Sequence, residues 1–235
     1  AGTPKEIDNM LLALNGRFLP PGPANLPERN PAVLPTGRNM YILNPEEIPS
    51  HASWELGKQL VDQLLAEKLK AGGRYPEKIG LSLDFRSTLM DYGVLESQIL
   101  HLIGVRPVWD AAGRVLDVEV IPAQELGRPR IDVFIETYDY YADYLESRLR
   151  LWDKAIRLVA DLDEPDNYVF SHRAKAAGEL QADGAPQEQA EILSRARIFS
   201  MPPELVTATH FLLFEATGQW DARRELVDVY LAERD

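Results

Sequence analysis

The stretch FLPPGPANLPERNPAVLPTGRN, residues 18–39, holds six prolines and two glycines. Proline fixes its own φ and lacks a backbone donor, so neither a helix interior nor a central strand tolerates this spacing. The chain must cross these positions along an extended path without a hydrogen-bonded ladder. Flexible linkers are usually polar and repetitive, yet Phe18, Leu19, Leu26, Val33 and Leu34 lie between the prolines. The segment is therefore expected to be an ordered strap, docked on the body of the protein by these apolar side chains, with Arg38 and Asn39 held at its end.

At 235 residues and 45% hydrophobic content, the chain is long and apolar enough to bury a real core. A net charge of -12 disfavours a nucleic-acid partner. With no cysteine, disulfides, thiolate metal sites and cysteine nucleophiles are excluded. The apolar runs are far shorter than a membrane span, and the first residues show neither a basic n-region nor an apolar h-region. A cytoplasmic location without a membrane span is the expectation.

The pattern of apolar residues predicts an α/β fold: a small helix-covered sheet, an N-terminal helix with the proline-rich strap, and a C-terminal helical extension. The corresponding regions are 1–45, 46–160 and 161–235. Thr3-Pro4-Lys5-Glu6 reads as a capping box opening a helix with Ile7, Met10, Leu11 and Leu14 on one stripe, ended by Gly16. Ser50 or Ser53 opens a second helix, with Leu56, Leu60, Val61, Leu64 and Leu65 inward and Gly72-Gly73 closing it. Strands are expected at 78–83, 105–109, 114–121 and 131–137, and one helix from Ser87 or Thr88 to Leu102, stopped by Gly104. An amphipathic helix follows over 143–161. The remainder is read as helical, with Pro186 at a helix start and Gly218 between the last two helices. The acidic run 161–166 lacks the glycine and terminal Glu of a calcium loop and reads as a solvated turn.

Generic catalytic motifs are absent: the sequence contains no P-loop, GxGxxG, GxSxG or HExxH. No two of His51, His101, His172 and His210 are spaced i, i+3 or i, i+4, so no helical metal pair exists. One local geometry is more informative, because open α/β sheets bind ligands beyond the carboxyl ends of their strands. The strand ending at Leu83 runs into Asp84-Phe85-Arg86-Ser87-Thr88, where a helix start would offer amides and hydroxyls to an anion. The strand through Val133 runs into Glu136-Thr137-Tyr138-Asp139-Tyr140-Tyr141. If the two strands are parallel neighbours, both tips line one crevice.

Several segments carry a resemblance: Leu11-Leu12-Ala13-Leu14-Asn15-Gly16-Arg17-Phe18, Pro20-Pro21-Gly22-Pro23, and Leu34-Pro35-Thr36-Gly37-Arg38-Asn39. They continue with Gly104-Val105-Arg106-Pro107-Val108-Trp109-Asp110 and Glu125-Leu126-Gly127-Arg128-Pro129-Arg130-Ile131-Asp132-Val133. Leu162-Asp163-Glu164-Pro165, Asn167-Tyr168-Val169 with His172, and Arg197-Ile198-Phe199 complete the set. In this order they resemble the large subunit of cobaltochelatase (CobN) and the porphyrin-binding H subunit of magnesium chelatase, over nearly the whole chain. The proline strap is a standing feature of that family.

The resemblance implies metal–tetrapyrrole chemistry. A divalent metal (cobalt, magnesium or iron) is a substrate, and a porphyrin or corrin ring is the ligand that receives it. The implied partners are the remaining segments of the large chelatase subunit and AAA+ ATPase subunits, with no nucleotide site in this chain. The match lies towards the family's C-terminal side, without the upstream His-Gly and Glu-Trp-Leu-Pro-Gly segment, which suits a domain, a split subunit or a truncated paralogue. Where the family reads Trp-Gly-Thr and then Met-Arg-Thr-Gly-Gly, this chain has Asp84-Phe85-Arg86 and Leu89-Met90-Asp91-Tyr92-Gly93. Where it reads Ser-Gly, two aromatics and Arg-Asp, this chain has Tyr138-Asp139-Tyr140-Tyr141-Ala142-Asp143. Asp84, Glu136 and Asp139 are thereby candidates for proton handling. Arg38, Arg86, Ser87 and Thr88 are candidates for ligand carboxylates, Asn39 lies beside them, and Tyr138 is a candidate for ring packing. The alternatives are a non-catalytic tetrapyrrole- or partner-binding subunit and a paralogue that removes metal from haem.

Overall fold

The structure is a computed structural model that describes residues 3–24, 27, 31–138, 140–200 and 224. It divides into two compact units, Ala1–Pro45 and Glu46–Asp235. The expected helices around Gly218 lie outside the described residues, as does Leu26 in the strap. Among the described residues no helix is long and apolar enough to cross a membrane.

The N-terminal unit contains helix α1 (Thr3–Leu14) and a short parallel pair, β1 (Gly22–Pro23) with β2 (Asn39–Tyr41). Prolines leave the strap few ladder donors, so side-chain amides replace them. The Asn39 Nδ2 donates to the carbonyls of Pro23 at 2.6 Å and Val33 at 3.1 Å. Asn9 donates to the Gly37 carbonyl at 3.1 Å, and Thr36 hydrogen-bonds Glu6, so the strap also closes on α1. Gly37, at φ 98, must be glycine, since a Cβ would stand 2.7 Å from the Glu6 Cα. The apolar anchors differ from expectation. Val33 is buried, but Phe18 is 82% and Leu34 53% exposed. Ile7, Met10, Leu11 and Leu14 of α1 are exposed as well. Within this unit, amide bonds rather than apolar anchors order the strap.

The C-terminal unit is built on a three-stranded parallel sheet in the order β3 (Lys78–Asp84), β6 (Asp132–Tyr138), β7 (Ile198–Ser200). A separate antiparallel hairpin pairs β4 (Val105–Trp109) with β5 (Val115–Val120). The four expected strands are thus present but do not form one sheet, because the hairpin closes on itself. The stretch after 161 is not wholly helical, contrary to expectation: it supplies β7 to the parallel sheet.

Helix α2 (His51–Gly72) starts at Ser50, whose side chain accepts from the Ser53 amide, and ends at Gly73 in the left-handed region. Its buried stripe is Trp54, Gly57, Val61 and Leu65, whereas Leu56 and Leu60 are exposed. Gly57 sets this rotation, since a Cβ there would stand 2.4 Å from the Ser97 Cβ. The single expected helix 87–102 is two: α3 (Phe85–Asp91) and α4 (Val94–Ile103), broken where Tyr92 and Gly93 take φ 57 and 94. The Asp91 carboxylate accepts from the amides of Gly93 and Val94, which stabilises the break. Helix α4 packs against α2, β3, β6 and α7 (Glu146–Ala160). Ile99, Leu100, Ile103, Val133, Ile135, Trp152 and Ile156 form the core there.

Short helices α5 (Ala123–Leu126) and α6 (Tyr141–Tyr144) precede β6 and α7 respectively, and α8 (Tyr168–Ala182) and α9 (Gln187–Leu193) lead to β7. Arg130 is buried at the entry to β6 and joins several of these elements. Its guanidinium donates to the carbonyls of Ile103, Gly104 and Ile121 and to Glu164 in the acidic turn. The turn is therefore only partly solvated: Glu164 serves Arg130, and Asp161 pairs with Arg173 and Arg195.

Candidate functional site

Strands β3 and β6 are parallel neighbours, with Asp84 opposite Tyr138 at their carboxyl ends. The structure thus brings Asp84, Arg86, Ser87, Thr88, Glu136 and Tyr138 to one end of the sheet. Asp139 lies outside the described residues, and Tyr138 is placed by its backbone as the last residue of β6. Arg38 and Asn39 belong to the N-terminal unit. Asn39 uses its amide inside the strap. The Arg38 side chain lies over Gly22, where a Cβ would meet its guanidinium at about 3.0 Å.

The tip of β3 differs from a vacant anion cradle. Asp84 is the N-cap of α3, and its carboxylate accepts from the Ser87 amide at 2.8 Å. The chain's own anion takes the place expected for a ligand, and α3 is only seven residues long. Ser87 is exposed, whereas Thr88 is buried. Thr88 points inward and donates to Glu96 at 2.6 Å. Arg86 is exposed on the first turn and has no ion pair among the described residues. Glu136 is half-buried on the sheet face beside Ser82 and Phe199, its neighbours in register.

Two features at this end go beyond the sequence reading, which named Tyr138 alone for ring packing. The first is aromatic. Phe85 stacks on Tyr144 with ring centroids 4.8 Å apart, and Tyr140 meets Tyr144 edge-on at 6.2 Å. Tyr140 and Tyr144 are exposed, so the tips carry a rim of ring surface next to Arg86.

The second is Glu96 on α4, buried beneath both tips. Its Oε1 accepts from Thr88 on α3 and, at 2.8 Å, from the hydroxyl of Tyr141 on α6. The Trp152 indole donates to that hydroxyl at 3.4 Å. One carboxyl group therefore ties the segment after β3 to the segment after β6. Its Oε2 has no hydrogen-bond partner among the described residues. Burial, only partly offset by the Thr88 hydrogen bond, pushes the Glu96 carboxyl above its ordinary value of 4.5.

This shift has a pH signature. The folded chain holds the Glu96 proton more tightly than the unfolded chain. Its contribution to stability is complete below pH 4.5 and is lost as pH rises towards the folded value. The loss has a limiting slope of about 1.4 kcal/mol per pH unit. His101 is shifted the other way, downward, by burial and by Arg128, so it adds stability as pH rises. The native protein and a Glu96 variant both carry that contribution, so it cancels between them. Urea unfolding of the native protein and of Glu96→Gln, from pH 4.5 upward, should show a stability difference that changes with pH in favour of the glutamine variant. Parallel curves would mean that Glu96 is ionised throughout.

Elsewhere in this unit, a cleft of about 470 Å³ is lined by Trp54, Lys58, His101, Arg106 and Arg128, among others. His101 lies at the edge of the core as expected, bonded through Nε2 to Asp62 at 3.0 Å. Arg128, pushed down to about 10 by burial, donates to the carbonyls of His101, Leu102 and Pro129 and so terminates α4. His51 stacks on Trp109 at 4.1 Å. Among the described residues no group of three or more His, Asp or Glu side chains could hold a metal ion.

With this geometry established, comparison with known proteins gives the class. Residues 1–235 match the family model described as CobN/Magnesium Chelatase, and the chain belongs to that family. It is 40% identical to the chloroplastic magnesium-chelatase subunit ChlH of Oryza sativa subsp. japonica over 97% of this chain and 16% of that protein. It is 34% identical to the aerobic cobaltochelatase subunit CobN of a Sinorhizobium species over 96% of this chain and 18% of that one. Among solved structures, it matches the catalytic subunit of cobaltochelatase from Mycobacterium tuberculosis. That match has a TM-score of 0.77 at 40% identity, over 99% of this chain and 19% of that one. The chain thus spans less than a fifth of the length of these relatives.

Proposed function

We propose that this chain is the tetrapyrrole-facing domain of a chelatase large subunit, and that the tips of β3 and β6 hold one edge of the ring while a divalent metal is inserted. The observation that supports this most directly is the aromatic rim of exposed Tyr140 and Tyr144 with half-buried Phe85, which adjoins Arg86 in the sequence. A planar macrocycle bearing carboxylates asks for ring surface and a cation close together. In this reading Arg86 takes a ring carboxylate. Asp84 fixes α3 so that Arg86 is presented, and Glu136 accepts or returns a proton at the sheet face. Asp139 shares the proton handling. Thr88 acts from below through Glu96 and does not touch the ligand. The family membership and the relatives' names support metal insertion into a tetrapyrrole as the reaction class; in this reading the metal is cobalt or magnesium, and the other segments of the subunit and AAA+ ATPase partners carry the ATP-driven step.

Titration with free-base and metallated porphyrins tests the binding half. Micromolar ligand should perturb the porphyrin absorption band. Arg86→Ala should weaken binding about tenfold, the equivalent of about 1.4 kcal/mol for one charge-assisted contact. No spectral change with any of several porphyrins would refute the reading.

A further inference from the structure

The two strand tips meet twice. On the rim, Phe85 of α3 stacks on Tyr144 of α6. Beneath it, Oε1 of Glu96 accepts from Thr88 of α3 at 2.6 Å and from Tyr141 of α6 at 2.8 Å. The upper contact borders solvent, because Tyr144 is exposed, whereas Glu96, Thr88 and Tyr141 are all buried. Hydrogen bonds shielded from water are the more costly to break. The lower contact therefore sets the spacing of the tips, and the rim follows it.

Each arm of the lower contact governs residues that face the ligand. Thr88 is the buried residue of α3, the helix that carries Phe85 and Arg86, and its hydroxyl also stands 3.1 Å from the carbonyl of Asp84 at the end of β3. Tyr141 lies between the exposed Tyr140 and Tyr144, and α6 is only four residues long. A helix that short has little stability of its own and takes its orientation from the side chain it buries. Glu96 itself stands on fixed ground. Helix α4 packs on α2, β3, β6 and α7, its Ser97 lies against Gly57, and the Asp91 carboxylate caps its first turn. The far end of α3 is pinned separately, by Ser53 donating to the Asp91 carbonyl at 2.6 Å.

We propose that Glu96 is a positioning residue for the ring site: one carboxyl oxygen, shared by Thr88 and Tyr141, fixes the two tips so that Arg86 and the rings of Tyr140 and Tyr144 engage one macrocycle together. The proposal rests on the reading of the tips as a tetrapyrrole site. A ligand that spans both tips then meets no cost for ordering one against the other. Its affinity depends on three side chains that act from below. The requirement is for an acceptor: the carboxamide oxygen of glutamine takes two hydroxyl donors as a carboxyl oxygen does, whereas leucine takes none.

Hydrogen exchange on the native chain tests the link without a ligand, and porphyrin absorption titration tests its use. Thr88→Val and Tyr141→Phe each remove one hydroxyl and little volume. Thr88→Val should speed amide exchange across 140–144 as well as in α3, and Tyr141→Phe should speed it in α3 as well as across 140–144. Both are measured against Val133–Ile135 in the sheet, whose exchange reports global opening. Each variant should bind porphyrin about fivefold more weakly, the equivalent of one net hydrogen bond. The double variant should bind no more weakly than the weaker single one, because either change alone breaks the link. Glu96→Leu should reproduce both effects, and Glu96→Gln should recover most of what leucine loses. Where Glu96→Leu fails to fold, the two hydroxyl variants decide alone. Porphyrin binding by the native chain, with faster exchange confined to the segment that carries the substitution or with native affinity in both single variants, would overturn this proposal alone. No porphyrin binding by the native chain would overturn the tetrapyrrole reading and this proposal with it.

Discussion

Arg130→Ala is expected to destabilise the C-terminal unit by about 3 to 5 kcal/mol, the range for removing one partner of a buried ionic cluster. The side chain is 2% exposed and serves four acceptors: the carbonyls of Ile103, Gly104 and Ile121 and the Glu164 carboxylate. Alanine leaves them without a donor in a site that water does not readily enter. Lysine should not rescue, because one ammonium group cannot aim donors in the directions a planar guanidinium covers. The surroundings allow no easy collapse. Gly104, at φ 78, lies so near the guanidinium that a Cβ there would stand 2.2 Å from Nη1. Urea unfolding monitored by tryptophan fluorescence measures the effect. A loss below about 1 kcal/mol, the value of an ordinary hydrogen bond, would show that the cluster relaxes or hydrates.

The double variant Phe85→Ala/Tyr144→Ala is expected to weaken porphyrin binding by about ten- to a hundredfold. Each ring removes stacking worth about 0.5 to 1.5 kcal/mol beyond its area, and 1.4 kcal/mol is tenfold in affinity. Stability should change far less, because Tyr144 is 60% exposed and the Phe85–Tyr144 pair lies on the rim. Absorption titration beside thermal unfolding separates the two effects. Unchanged affinity in a folded double variant would remove the aromatic rim from the site and leave Arg86 to carry the binding reading.

Local signals in the sequence proved legible. Ser50 caps α2, Gly73 and Gly104 end helices in the left-handed region, and β3 and β6 stand side by side with their tips level. The caps rest on chemistry within a few residues, whereas the pairing of β3 with β6 joins segments far apart in the chain and was read only as a condition. What escaped the reading depends on distance along the chain. The inward face of α2 follows from Gly57 meeting Ser97 on another helix, so the leucine pattern was right at Val61 and Leu65 but wrong at Leu56 and Leu60. β7 is three residues long and becomes a strand only by pairing with β6. Glu96 sits in a largely apolar helix, eight residues from Thr88 and 45 from Tyr141, a spacing that no motif encodes. The strap misled for another reason. Its leucines and phenylalanine suggested anchors, but Asn9 and Asn39 do the holding, and single amides leave no periodic pattern.

The strand order β3-β6-β7 is also the order of synthesis, so the parallel sheet can extend by adding each new strand at one advancing edge. Helices lie between β6 and β7, and that pairing must await their folding. Until residues 198–200 have left the ribosome, the Ile135–Thr137 edge of β6 presents unpaired amides and carbonyls, the template that promotes intermolecular association. A ribosome stalled between β6 and β7 would therefore hold a nascent chain in its most aggregation-prone form, and chaperone demand during translation should peak over that interval.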